Sequence, residues 1–150
     1  MKAISLSKTM RALAATAMAY LVAATFSACS HEDENTVERR AWQFAQHYFN
    51  LRYRQAAQLC TGSSLKWIKY RAANISQSDL DTLNSQADTA ECAIDAISYD
   101  GNSATVRFTV KNFLRCDSVN GKASICKTQQ FEMAMKKHGD TWFAQLDSLL

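Results

Sequence analysis

The sequence predicts an α+β domain in which N-terminal helices pack on a curved antiparallel four-stranded β-meander. Apolar residues recur at helical spacings of three and four as far as Leu83, and after Ala87 they alternate with a period of two. The turn sequences Asp-Gly-Asn, Asn-Gly and His-Gly-Asp separate the alternating segments, as is typical of hairpins. Helices that precede a run of strands indicate the α+β class.

Four helices are predicted in the first part of the domain. Residues 35–50 form the longest, with Asn35 as the expected N-cap. Its apolar stripe consists of Val37, Ala41, Phe44 and Tyr48, widened by Trp42, Ala45 and Phe49. A second helix over 52–60 is expected to end at Gly62, and a third covers 63–74. Ser76 and Asp79 have the spacing of a capping box that opens the fourth.

Four strands follow, over residues 89–99, 103–116, 124–137 and 141–150. The inward positions of the middle two are predicted to be Ala104, Val106, Phe108, Val110, Phe131, Met133 and Met135. Cys116 and Cys126 flank the Asn-Gly turn and are predicted to be cross-strand neighbours. Their opposite parity requires a β-bulge, expected near Lys111–Asn112 or Gln129–Gln130.

The first 28 residues have the pattern of a secretory signal peptide. Lys2, Lys8 and Arg11 precede an uncharged run of 17 residues, Ala12 to Ala28. This run is at the lower limit for spanning a bilayer, so a cleaved signal is favoured over a permanent membrane helix. Its end, Phe26-Ser27-Ala28-Cys29, resembles the bacterial lipobox, with Phe26 where Leu is usual.

The lipobox resemblance implies cleavage before Cys29 and attachment of diacylglycerol and a further acyl chain such as palmitate. Several chains together give durable anchoring in a membrane. Ser30 follows, not Asp, which implies the outer membrane as the location. Residues 29–34 are then a short tether whose acidic stretch, His31 to Glu34, resembles the export tag of surface-exposed lipoproteins. The alternative is a solvated tether that faces the periplasm.

Charge and composition limit the function of the mature chain. Cleavage removes three of the 17 Lys and Arg residues, and the remaining 14 balance the 14 Asp and Glu residues. A neutral chain offers no electrostatic basis for nucleic-acid binding. Residues 35–150 contain no proline and read as one domain, and no cofactor motif is visible.

Four cysteines remain after Cys29, and an even number in an exported chain predicts two disulfides. If Cys116 pairs with Cys126, Cys60 is left to pair with Cys92. Zinc is the disfavoured alternative, because none of the spacings is Cys-x-x-Cys and no histidine accompanies the cysteines.

The segments "VERRAWQFAQHYFNLRYRQAAQL" and "MKKHGDTWFAQL", in this order of elements, resemble small lipoproteins of the nuclear-transport-factor-2-like superfamily, which includes ketosteroid-isomerase-like and SnoaL-like proteins. The resemblance covers residues 35–150 and implies a cone of helices against a bent sheet. Its enzymes carry an Asp or His as general base inside the cone, for which Asp95 is the candidate here, with Tyr48 or Tyr53 as hydrogen-bond donors.

The sequence favours a protein without catalytic activity. Asp95 is expected on the solvent side of an edge strand, and the two tyrosine hydroxyls are expected at the rim of the cone. The histidines read as surface residues: His31 in the tether, His47 on the polar helix face and His138 in a turn. No Ser-His-Asp arrangement, phosphate loop or metal cluster is visible.

The expected function is therefore a non-catalytic binding module for a small apolar molecule, an envelope glycan or a protein partner. Its possible pocket residues, or else simply its core, are Trp42, Trp67, Met133 and Met135. A basic patch on the third helix either meets anionic headgroups or is a solvated face; it comprises Lys66, Lys69, Tyr70 and Arg71. The alternatives are a ketosteroid-isomerase-like enzyme and an assembly lipoprotein with a filled cone, and the superfamily also implies a homodimer through the sheet face.

Overall fold

The computed structural model describes residues 36–115 and 123–150, and residues Glu34–Leu150 form one compact unit. Its helices are α1 (Val37–Phe49), α2 (Tyr53–Gln58), α3 (Leu65–Ala73) and α4 (Gln77–Asn84), with a 3₁₀ turn at Gly62–Ser64. Within those ranges, every helix is too short or too polar to cross a membrane.

The strands are β1 (Glu91–Asp100), β2 (Ser103–Arg115), β3 (Ser124–His138) and β4 (Thr141–Gln145). Each pairs antiparallel with the next, so that the sheet order is the chain order. The predicted α+β class, with helices before a four-stranded meander, is confirmed. Gly101 and Gly139 take positive φ values of 57° and 60° in the first and last hairpins, a conformation that glycine adopts without steric cost.

The sheet curls around α1. Tyr99 of β1 and Trp142 of β4 belong to opposite edge strands, yet their ring centroids are 6.3 Å apart. Flat strands at about 4.8 Å spacing would separate these edges by about 14 Å. Helix α1 is tied to both edges: Arg40 Nε donates to Trp142 O at 2.9 Å, and Trp42 Nε1 donates to Cys92 O at 3.0 Å. The helix therefore fills the concave side.

The core lies between α1 and the concave face of the sheet. The helix contributes Val37, Ala41, Phe44, Ala45, Tyr48 and Phe49, and the middle strands contribute Ala104, Val106, Phe108, Val110, Met133 and Met135. Each of these side chains is no more than 5 % exposed. Burial of each larger one stabilises the fold by about 1.5–3 kcal/mol. These positions confirm the predicted helical stripe, except for Trp42, which is 44 % exposed, and the predicted strand parity, in which Phe131 is half-buried.

The helix ends show which local signals were correct. Thr36 caps α1, its Oγ1 accepting from Arg39 N at 3.3 Å, whereas the predicted cap, Asn35, lies outside the described residues. The capping box of α4 is confirmed: Asp79 N donates to Ser76 Oγ at 3.2 Å, and Ser76 N donates to Asp79 Oδ2 at 2.8 Å.

Two predicted boundaries are wrong. Helix α2 ends at Gln58, and Gly62 begins the 3₁₀ turn instead of ending the helix. The chain leaves α2 because residues 59–61 pair with the edge of β4, where Thr61 N donates to Ala144 O and Ala144 N to Leu59 O. Strand β4 ends at Gln145, because Leu146 N donates to the buried Ser64 Oγ at 2.8 Å instead of to a strand.

Irregularities in two strands set the direction of important side chains. The register between β1 and β2 shifts between Ile94 and Ala96, so that Asp95 is the extra residue of a β-bulge. In β2, Asn112 has a φ of 53° and interrupts the pairing with β3, although the register is the same on both sides. The β-bulge predicted near Lys111–Asn112 or Gln129–Gln130 is therefore not present between the described residues of β2 and β3; Asn112 is a left-handed residue that leaves the register unchanged.

Candidate functional site

Four phenylalanine rings meet at the end of the core where α1 finishes. Phe49 is the last residue of α1, Phe108 and Phe113 belong to β2, and Phe131 belongs to β3. The Phe49 centroid lies 4.8 Å from that of Phe131 and 5.1 Å from that of Phe113, while Phe108 stacks on Phe131 at 5.8 Å. We refer to these residues as the four-ring cluster. Phe131 is only half-buried, so the cluster presents aromatic surface at the edge of the core.

Two tyrosines extend the aromatic surface towards the helices. Tyr48 lies edge-on to Phe49 at 5.2 Å and to Tyr53 at 5.7 Å. Tyr48 is 2 % exposed, so the prediction that its hydroxyl sits at the rim is wrong: the inner face of α1 carries it into the core. Tyr53, at the start of α2, is half-buried, but its hydroxyl is also shielded from solvent, so the prediction is wrong for this hydroxyl as well.

Backbone conformation places the rings. The left-handed residue Asn112 turns the strand so that Phe113 points into the core, although simple alternation from Val110 would direct it outward. The chain reverses between α1 and α2 through Leu51, whose φ is 59°. Asn50 fixes the end of α1 to the start of β1, accepting from Ala90 N and donating to Ala90 O, both at 3.0 Å.

Three side-chain nitrogens on α1 and α3 have no hydrogen-bond partner among the described residues. They are Trp67 Nε1, Arg71 Nε and His47 Nδ1, each shielded from solvent. Trp67 packs against the core cluster from α3, and Arg71 lies one helical turn further on. Burial, and then the charge of Arg52, lower the pKa of His47. His47 is therefore half-buried and shielded, which corrects its assignment to the open surface.

This arrangement fits the recognition of a small amphiphilic molecule. Binding sites for such molecules are mostly apolar and aromatic, with a few polar groups that fix orientation. The four-ring cluster supplies apolar surface, and α3 carries two shielded N–H donors, Trp67 Nε1 and Arg71 Nε, that have no hydrogen-bond partner among the described residues. Unpaired donors in a low-dielectric setting gain from any acceptor that a ligand brings.

The predicted pocket residues do not come together. Met133 and Met135 are 3 % and 0 % exposed and belong to the packed core. Trp42 is 44 % exposed, its indole N–H donating to Cys92 O. Of the four, Trp67 is half-buried on α3 and packs against the core. Phe131 was predicted to face inward but was not assigned to a pocket, and Phe113 was missed because the left-handed conformation of Asn112 does not show in the alternation.

Asp95, the candidate general base, lies on the convex face of the sheet. Its Oδ2 accepts from Thr109 Oγ1 at 2.8 Å and from Gln130 Nε2 at 3.0 Å. The hydrogen bonds from Gln130 and Thr109 lower the pKa of this fully exposed carboxyl. The expectation of a solvent-side Asp95 is confirmed, and the β-bulge explains why its parity with Ile97 and Tyr99 suggested a mixed face.

The cysteines within the described residues are free thiols, namely Cys60, Cys92 and Cys126. The predicted pairing of Cys60 with Cys92 is therefore not present. Cys60 forms a β-bridge with Ala144, which lies in the same cross-strand row of the sheet as Tyr99. Cys92 precedes Tyr99 by seven residues in β1. That is about 23 Å along a strand, whereas a disulfide needs Cα atoms within about 7 Å. Burial raises the pKa of the Cys92 thiol to about 12.

Cys126 is opposite Phe113, not Cys116. The register thus corrects the prediction that the two cysteines are directly opposed. Cys116 lies outside the described residues, as do Cys29, the acidic tether and His31. His138 ends β3 beside the last turn and is exposed, as expected.

Comparison with known proteins adds little. No protein-family profile matches the chain, and no curated protein matches it. Among solved structures, the chain is similar to a Campylobacter jejuni protein described as a candidate NTF2-like transpeptidase. The identity is 13 %, the TM-score is 0.45, and the similarity covers 71 % of this chain and 94 % of the other. The fold class given above rests on the observed elements.

Proposed function

We propose that this chain is a lipid-anchored protein of the outer membrane, held by Cys29, and that its domain is a nuclear-transport-factor-2-like module that binds a small amphiphilic molecule without transforming it. The ligand site is the four-ring cluster together with its rim, Tyr53 and Trp67. The carrying observation is Phe131: it contacts all three other rings, yet it remains half-buried.

A small apolar group fits this site better than a glycan or a protein. The rings of the cluster pack closely on one another in edge-on, tilted and stacked pairs and are mostly buried, so the open surface is limited to Phe131 and the rim. Covering that surface stabilises a complex by about 25 cal/mol per Å² of apolar area. A protein interface needs a far larger surface, of about 800 Å² on each partner. The N–H groups of Trp67 and Arg71 then select a ligand with an acceptor or an anionic head.

Binding is preferred to the ketosteroid-isomerase-like alternative for a chemical reason. A general base in such a cone needs a carboxylate within hydrogen-bond reach of the bound substrate. Asp95 points to the other side of the sheet, and its hydrogen bonds lower its pKa, opposite to the change that a general base requires. The chain thus offers a place for a ligand that is separate from its best candidate base.

The site is tested with the neutral fluorophore N-phenyl-1-naphthylamine and two matched variants. Phe131→Leu removes a ring of the cluster, whereas Phe143→Leu removes a half-buried ring of β4 outside it. The proposal predicts that the wild type and Phe143→Leu bind one fluorophore with similar affinity and that Phe131→Leu binds about two- to twelvefold more weakly, since an aromatic pair contributes about 0.5–1.5 kcal/mol. Equal affinities for the two variants would contradict it.

The anchor is tested separately by expression of the full chain in a Gram-negative host. The mature protein is expected to begin at Cys29, to carry its acyl chains and to partition into the detergent phase. Cys29→Ser is expected to abolish acylation and that partition. An acyl-free wild type, or a Cys29→Ser protein that still partitions with detergent, would contradict the lipidation proposal.

A further inference from the structure

Helices α2 and α3 and the residues around them carry positive charges and no negative ones. Residues 51–78 contain Arg52, Arg54, Lys66, Lys69 and Arg71 and no Asp or Glu. Within the described ranges, none of these five cations forms an ion pair. The rest of residues 35–150 holds nine cations and 11 acids, a net charge of −2. The positive charge of the domain is therefore concentrated in residues 51–78, which include α2 and α3.

The cations lie on an open surface. Lys66, Lys69 and Tyr70 are exposed on α3, at spacings that place them on one helix face, while Leu65 and Ile68 turn inward. Helix α2 packs against α3 and adds Arg52 and Arg54, both exposed. The nearest acids along the chain are Asp79 and Asp81 of α4, and both form hydrogen bonds within that helix end. Asp79 caps the helix, and Asp81 accepts from Gln77.

Tyr70 gives this surface an amphipathic centre. Its side chain is 45 % exposed between Lys69 and Arg71, and Lys66 Nζ lies 5.0 Å from the ring centroid of Trp67, which keeps this ammonium group at the surface. Tyrosine and tryptophan are enriched where proteins meet the headgroup region of a bilayer. Lysine and arginine beside them favour headgroups that carry net negative charge.

We infer that the α2–α3 surface docks onto anionic phospholipid headgroups and sets the orientation of the domain on its membrane. This rests on the proposed anchoring only for bringing the surface close to a bilayer: the seven residues from Cys29 to Asn35 reach at most about 25 Å. Each cation near such a surface raises the partition coefficient of the protein between water and the bilayer roughly fivefold. Tethering raises the effective concentration to about the millimolar range, so modest intrinsic affinity is enough.

The test uses the anchor-free unit Glu34–Leu150, which holds the whole described core, and vesicles of phosphatidylglycerol mixed with phosphatidylcholine. Lys66→Gln with Lys69→Gln removes two charges from the surface. Lys111→Gln with Lys127→Gln removes the same charge from exposed positions of β2 and β3. Because all four residues are exposed, both variants are expected to keep the wild-type circular dichroism.

The wild type and the β2–β3 variant are expected to sediment with anionic vesicles at low salt, and neither with pure phosphatidylcholine. The α3 variant is expected to partition about 25-fold more weakly, at roughly fivefold per charge. Salt at about 1 M should release the protein by screening. Wild type that does not bind anionic vesicles would overturn the inference, as would an equal loss in both variants. The acylation test with Cys29→Ser is independent of either result.

Discussion

The amide of Asn50 links the first helix to the first strand, and its removal is expected to be unusually costly. In the wild type, Asn50 Oδ1 accepts from Ala90 N at 3.0 Å, and Asn50 Nδ2 donates to Ala90 O at 3.0 Å. Ala90 is 1 % exposed, so water does not reach these groups when the amide is absent. The substitution Asn50→Ala therefore leaves a buried backbone N–H without its acceptor.

The magnitude follows from the groups affected. An orphaned buried donor costs about 1–3 kcal/mol, and the lost bond to the carbonyl costs about 1 kcal/mol more, so Asn50→Ala is expected to lower the free energy of unfolding by about 3 kcal/mol. The matched control is Asn74→Ala, which also removes a helix C-cap amide. Asn74 Nδ2 donates to Tyr70 O at 2.7 Å, but on the exposed surface, so its loss should cost about 0.5 kcal/mol or less.

The assay is equilibrium urea unfolding of the wild type and both variants, followed by tryptophan fluorescence and circular dichroism. With a slope of about 1.5 kcal/mol/M, Asn50→Ala should lower the midpoint by about 2 M and Asn74→Ala by no more than about 0.3 M. If the free energies of unfolding of the two variants differ by less than about 0.5 kcal/mol, close to one RT, the Asn50 reasoning is refuted.

Three further predictions concern backbone, thiol and charge. Asn112→Val should cost about 1–2 kcal/mol because its φ of 53° disfavours β-branched residues, whereas Asn112→Gly should be close to neutral; equal urea midpoints for the two would contradict the left-handed kink. Cys92, with its pKa raised to about 12, should resist iodoacetamide at pH 8 until the protein is denatured, and a mapped Cys60–Cys92 peptide would show the strand geometry to be wrong. Asp95, whose folded pKa is lowered, contributes stability that is present above its unfolded pKa of about 3.9 and lost as the pH falls through the lower folded value, so Asp95→Asn should destabilise the protein at pH 7 and lose this effect at low pH; a pH-independent difference would contradict it.

Periodicity was sufficient for the elements and most of the core. The stripe on α1 and the alternation from Ala104 to Val110 depend only on which face is buried, so the pattern records them directly. The capping box of Ser76 and Asp79 is equally local. Cone curvature, in contrast, depends on how α1 fits between the edge strands, which no single segment encodes.

The candidate site could be predicted only in part. Phe113 enters the four-ring cluster because Asn112 is left-handed, and the parity of Ile97 and Tyr99 differs from that of Ile94 because β1 bulges at Asp95. Both are local departures from alternation: the bulge changes the parity of the residues that follow it, whereas Asn112 redirects Phe113 without a change of register. The predicted disulfide between Cys60 and Cys92 is absent because the number of cysteines carries no information about the distance between strand rows.

The central claim, a ligand held at the four-ring cluster, is tested most directly by a native mass spectrum of residues 30–150 secreted to a periplasm. The account predicts a monomer-sized mass with one small-molecule adduct, retained by Phe143→Leu and reduced in Phe131→Leu. A bare domain in all three proteins, or an adduct of equal intensity in the two variants, would contradict it.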